Sequence, residues 1–155
     1  MNKITTKKQV KADIKSDLRS IKEREERLLR KLPLAALDER ATFLLLGKDM
    51  PSNATFNPYL CSYDGYRAYL SIRVDSLKED SYLLAILERA VERKLVVETS
   101  DYVSDYSMDR TFSIYLPHGG KLSVEARVSA DSKTCRKVQV GVEVKEIAKF
   151  ELRCD

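Results

Sequence analysis

Three kinds of side chain in this sequence could do chemistry: carboxylates spaced by four, a lone histidine and three cysteines. Asp101, Asp105 and Asp109 stand in the run DYVSDYSMD, and a curled loop of that kind could gather a hard cation. A calcium loop, however, needs closer oxygen spacing, a glycine turn and a terminal Glu, none of which is present. The segment reads as a solvated connection between strands. His118, the only histidine, lies in Pro117-His118-Gly119-Gly120, a turn where water competes with any Ser–His or Cys–His pairing. One imidazole also limits histidine-based metal chemistry. Cys61, Cys135 and Cys154 are an odd count without short spacing, which is neither a disulfide framework nor a zinc pattern. They are expected to be free thiols in a cytoplasmic chain. Neither a GxxxxGKS or GxxxxGKT phosphate loop nor a GxGxxG turn occurs. A protein without catalysis, cofactor, metal or small-molecule substrate is therefore expected.

The remaining chemistry is that of charge and surface. The net charge of +4 comes from 28 Lys and Arg against 24 Asp and Glu. Residues 1–32 carry eleven of those cations and five of the acids, so the basic character belongs to the N-terminal segment. There Lys8, Lys11, Lys15, Arg19 and Lys22 step by three or four, which on a helix places them in one narrow sector. Such a stripe could follow a phosphate backbone and release counterions, or could keep the rim of a coiled coil soluble. A net positive chain is no mimic of DNA, which demands a strongly negative surface. A second cluster combines aromatic and basic residues. Tyr59, Tyr63, Tyr66 and Tyr69 gather in one predicted hairpin, and Arg67 and Arg73 share the strand face of Tyr69. Open sheets hold single-stranded nucleic acid with such residues, but the glycine-and-aromatic signature of an RNA-recognition strand is missing. Tyrosine equally fits half-buried strands and protein interfaces.

These residues need elements to position them. From about Thr6 to Leu32 there is no Gly or Pro, and Val10, Ile14, Leu18, Ile21, Leu28 and Leu32 recur at helical spacing with Glu25 in the one gap. The stripe is narrow, more like a helix–helix seam than a face sunk in a core, so a coiled coil is a candidate. Pro33 suits the first turn of a second, shorter helix carrying Leu34, Leu37, Ala41, Leu44 and Leu45, closed by Gly47. A hairpin of helices or a kinked continuation would both fit. Residues 48–58 are rich in breakers and read as a linker. This divides the chain into a helical arm over 1–47, the linker, and an α+β domain over 59–155.

In that domain the period changes to two. Strands joined at Asp64-Gly65 form a hairpin, with Tyr66, Ala68, Leu70, Ile72 and Val74 on one face. Ser76 and Glu79 form a capping box for an amphipathic helix reaching about Leu95. Further strands are expected near 95–99, 111–116, 121–129, 136–144 and 148–154, with turns at 117–120 and 130–134. The predicted class is α+β: a long N-terminal helix and a short helix, then a mainly antiparallel or mixed sheet with one packed amphipathic helix.

No apolar run approaches the roughly 20 residues that span a bilayer, and no apolar stretch follows the basic N-terminus as in a secretory signal. The expected function is a protein–protein interaction module that self-associates or docks a partner through its N-terminal helix. Size and layout suit a small phage or bacterial regulator or inhibitor of a larger protein. The alternative is a nucleic-acid-binding protein using the basic helix, with Arg67, Tyr69 and Arg73 as further contacts.

Overall fold

The computed structural model describes residues 7–129, 132, 134–142 and 148–154. Helix α1 spans Lys7–Leu46 with Pro33 inside it, so of the two arrangements that suit this proline the helical hairpin does not occur. Proline inside a helix removes one hydrogen bond and crowds the carbonyl four residues back. Here the domain grips the helix on both sides of it. Before the proline, the Arg27 guanidinium stacks 4.9 Å from the Tyr63 ring and Lys31 Nζ donates to the Tyr63 carbonyl. After it, Ala35, Asp38, Thr42, Leu45 and Leu46 are buried. Gly47 ends the helix in the left-handed conformation with φ 76°, as the sequence suggested.

Strands β1 (Ala54–Cys61) and β2 (Gly65–Val74) form the expected hairpin, with Cys61 opposite Gly65. Strand β1 begins at Ala54, so residues 54–58 of the stretch read as linker are strand. Helix α2 (Ser81–Glu92) follows, then β3 (Val97–Val103), β4 (Met108–Tyr115) and β5 (Lys121–Val128). The sheet order is β1-β2-β5-β4-β3, antiparallel except that β2 runs parallel to β5. The class is α+β with a mixed sheet. A separate antiparallel hairpin, β6 (Cys135–Val142) and β7 (Ala148–Cys154), packs against β3 and β4. The turn expected over 130–134 falls partly outside the described residues, as does the end of the strand expected over 136–144.

One face of the sheet makes the core. Tyr66, Ala68, Leu70, Ile72 and Val74 of β2 lie beside Leu122, Val124, Ala126 and Val128 of β5, all buried, under Leu83, Ile86 and Ala90 of α2. Helix α2 starts later than its sequence suggested. Its N-cap is Asp80, whose carboxylate accepts the Leu83 N–H at 2.8 Å, and Ser76 instead accepts the Lys78 N–H in the preceding turn. Aspartate and serine cap helices about equally well, so residue type alone did not choose between the two positions. The helix stops at Glu92, where Lys94 turns the chain with φ 55°. The expectation of three free thiols is also corrected. Cys135 and Cys154 are register partners across β6 and β7 and are joined as a disulfide, leaving Cys61 free.

Helix α1 is fastened at its C-terminal half by polar groups. Arg89 of α2 donates to the Leu45 carbonyl at 2.8 Å, one of the acceptors a helix end leaves open. The wholly buried Asp38 carboxylate accepts the N–H groups of His118 at 3.0 Å and Gly120 at 2.7 Å, in the turn between β4 and β5. The stripe Leu34, Leu37 and Leu44, which looked like the inward face of a short helix, is exposed. The inward line is 35, 38, 42 and 45, and two of its members are polar. A Cβ on Gly120 would stand 2.5 Å from Asp38 Oδ2 and 3.0 Å from the Tyr66 carbonyl oxygen.

Asp38→Ala should therefore cost about 2–4 kcal/mol by stranding two backbone donors. Gly120→Ala should also lower the thermal unfolding midpoint. Because the alanine methyl and the carboxylate compete for one space, the double variant should lose less than the two single losses added. Strict additivity in denaturant unfolding would refute the clamp.

Candidate interaction surfaces

The structure brings the sequence-derived residues together on two separate surfaces. The first is the free part of α1. Residues 7–26 are exposed throughout, a run about 30 Å long at helical rise. On it Val10, Ile14, Leu18 and Ile21 point into solvent, with Leu18 61% and Ile21 62% exposed. Leu28 is half-buried where the helix meets the domain, and Leu32 is again exposed. Lys8, Lys11, Lys15, Arg19 and Lys22 are all exposed and share a sector beside this seam, with Arg19 paired to Glu23 at 3.0 Å. Seam and stripe thus lie on one continuous helix. At its base, a cleft of about 240 Å³ is lined by Leu32, Ala35, Ala36, Pro58, Leu60 and Tyr66, among others. The apolar seam runs directly into it.

The second surface is the sheet face turned away from the helices. Alternation along β2 sends Arg67, Tyr69, Ser71 and Arg73 to that side. Strand register then builds rows across the sheet. At one end stand Tyr59, Arg67, Lys121 and Tyr115; at the other Arg73, Arg127 and Asp109. Between them runs a band that includes Asn57, Ser123, Ser113, Ser71 and Thr111. Arg67 and Arg73 are six residues apart on one strand, about 20 Å, and so belong to opposite ends. The expected tyrosine cluster is divided. Tyr66 is buried on the core face and Tyr63 sits in the hairpin turn against Arg27, while Tyr59 and Tyr69 remain on the open face. Tyr115 joins them from β4, a neighbour that local spacing could not reveal because it depends on long-range register.

Many charges on this face are answered within it. Arg127 pairs with Glu125 at 2.6 Å, and the Tyr115 hydroxyl donates to Glu98 at 2.7 Å. Burial would raise the Glu125 carboxyl, but hydrogen bonds from Tyr69, Arg127 and Ser71 outweigh it and bring it below the usual carboxylate range. Burial raises neighbouring Asp109, and the negative Glu125 adds to that rise. Tyr69 is likewise raised, by burial and by Glu125.

The acidic run expected to be a loop is instead a hairpin. Asp101 lies on β3 and Asp109 on β4, joined by a turn in which the Ser104 hydroxyl accepts the N–H groups of Tyr106 and Ser107. Asp101 pairs with Arg110 through two bonds, 2.7 and 2.9 Å, and also accepts the Leu152 N–H at 2.8 Å. Arg110 in turn donates to the Leu152 carbonyl at 2.6 Å. The pair therefore fastens β7 to the main sheet, where Leu152 is buried. His118 stays a turn residue whose backbone, through Asp38, is its structural contribution.

Comparison with protein-family models, with curated proteins and with solved structures finds no match. No helix among the described residues is long and apolar enough to cross a membrane.

The Asp101 carboxyl is desolvated by burial, yet bonds from Arg110 and Leu152 bring its pKa below the ordinary value. Its stabilising contribution is thus complete above the unfolded pKa of about 3.9 and is lost as pH falls through the depressed folded value. Asp101→Asn should lower stability at pH 7 and flatten the acid limb of the stability–pH curve below about pH 4. Parallel acid limbs in the two proteins would argue against this role.

Proposed function

We propose that this chain is a non-catalytic protein-interaction module that docks a protein along the free seam of α1. The observation that carries the reading is the full exposure of residues 7–26 with Ile14, Leu18 and Ile21 uncovered on one side. Isolated helices of such length are marginal in water, and an uncovered apolar stripe rimmed by charge is characteristic of interaction surfaces. A small regulator or inhibitor of a larger protein, of phage or bacterial kind, is the role that suits such an arm on a compact base. The joining of Cys135 to Cys154 removes the argument from free thiols to a cytoplasmic chain, so no compartment is proposed.

A second reading is favoured by a different observation: Lys8, Lys11, Lys15, Arg19 and Lys22 lie exposed in one sector of the same arm. That array suits a phosphate backbone. The open sheet face adds less to it, because Glu98, Glu125 and Asp109 offset much of the positive charge of Arg67, Arg73, Lys121 and Arg127.

Fluorescence anisotropy of the full chain with single- and double-stranded mixed-sequence probes over a salt series separates the two. No salt-sensitive binding is expected. Binding that weakens steeply with salt and disappears in Lys11→Glu/Lys15→Glu would replace the module reading with the nucleic-acid one. On the module reading, a bound protein should slow amide exchange over residues 7–26. Leu18→Glu should then weaken that complex at least about tenfold while the thermal unfolding midpoint stays unchanged.

A further inference from the structure

We propose that the occupant of the α1 seam is a second copy of this chain, lying parallel and in register as a short two-stranded coiled coil. This inference rests on the module reading above and names its partner. Counted in sevens, the inward positions of the seam form two interleaved series, which take in Lys11 from the edge of the basic stripe and leave Val10 on the flank. Ile14, Ile21 and Leu28 form one, and Lys11, Leu18, Glu25 and Leu32 form the other. This is the pattern of inward positions in a left-handed coil. The next member of the first series, Ala35, is buried beneath the fold. The same stripe that the domain covers at its base is therefore uncovered along the arm.

The flanks decide the orientation. On one side of the seam, Lys8, Lys15 and Lys22 repeat every seven residues; on the other stand Val10, Asp17, Arg24 and Lys31. A two-fold axis parallel to the helices sets the first flank of one copy against the second flank of the other. Asp17 of each copy then faces Lys22 of the other, twice per dimer. Glu25, at an inward position, packs beside Arg24 of the second copy. An antiparallel pair would instead set the column of Lys8, Lys15 and Lys22 against itself, and like charges held in that way repel. The parallel pair does place Lys11 and Glu25 each opposite its own counterpart, the two glutamates flanked by Arg24 of both copies. A single lysine at an inward position is a known device for fixing register at a cost in stability, and this one lies near the open end of the arm.

The experiment uses the full chain with Cys61→Ser, which leaves the Cys135–Cys154 disulfide in place. Ile14→Cys and Ile21→Cys, introduced singly, should each give a disulfide-linked dimer under mild oxidation, because a parallel in-register pair brings each position to its own copy. An antiparallel pair can join at most one of the two to itself, so one linked variant alone overturns the proposal. In sedimentation equilibrium of the cysteine-unmodified chain, Asp17→Lys should weaken the dimer roughly threefold to tenfold, and Asp17→Lys with Lys22→Asp should recover most of that loss. Ile21→Glu should weaken it by more than about a hundredfold. A chain that stays monomeric at the highest concentration reached overturns the second copy. It leaves the module reading standing, since that reading is tested separately by the salt series and by amide exchange over residues 7–26.

Discussion

The contact on which the rest of the fold depends is the Asp38 carboxylate under the β4–β5 turn. It is fully buried and holds two backbone N–H groups eighty or more residues away in sequence. A buried charge is tolerated only when hydrogen bonds answer it, and both of its oxygens are answered here. The bond fixes the rotation of α1 on the sheet. With Asp38 inward, Ala35, Thr42 and Leu45 must also turn inward, and Leu34, Leu37 and Leu44 must turn out. Gly120 belongs to the same constraint, because a side chain there would occupy the space of the acceptor.

Two further polar anchors complete the frame. Arg89 closes the C-terminus of α1 from α2, and Asp101 with Arg110 ties the β6–β7 hairpin to the sheet. The apolar core fills the space between these anchors without having to specify the angles at which the elements meet. That division of labour follows from directionality: burial is indifferent to direction, whereas a hydrogen bond between a carboxylate and an amide is not.

A local period read the strands better than the packed half of α1, where Leu34, Leu37 and Leu44 face solvent and Asp38 and Thr42 face inward. The alternation from Tyr66 to Val74 defined the core face of β2, and Gly47 marked the end of α1 because only its conformation permits the turn there. Features determined by distant partners were not legible. Asp38 resembles a surface residue of a helix until the turn it serves is placed above it. The parallel pairing of β2 with β5 and the rows of the open face depend on register between strands some fifty residues apart. Pro33 left a hairpin and a continuation equally open, and the grips at Tyr63 and Asp38, both from distant segments, favour the continuation. The acidic run from Asp101 to Asp109 suggested a loop because the cation that answers Asp101, Arg110, lies across a hairpin that hydrophobic alternation only weakly marks.

The parallel junction of β2 and β5 has a bearing on how the chain assembles. Strands β1 and β2 can zip as one hairpin, and β3, β4 and β5 as a meander, each through contacts close in sequence. The two halves of the sheet meet only along β2 and β5, across a loop containing α2 and two strands. Closing that loop costs entropy before any contact rewards it, so nucleation favours the two local pieces and leaves their union for last. Helix α1 spans this union, touching β2 directly and the β4–β5 turn through Asp38. On that order of events the helix would act as a latch, closing over a seam between two pieces already formed.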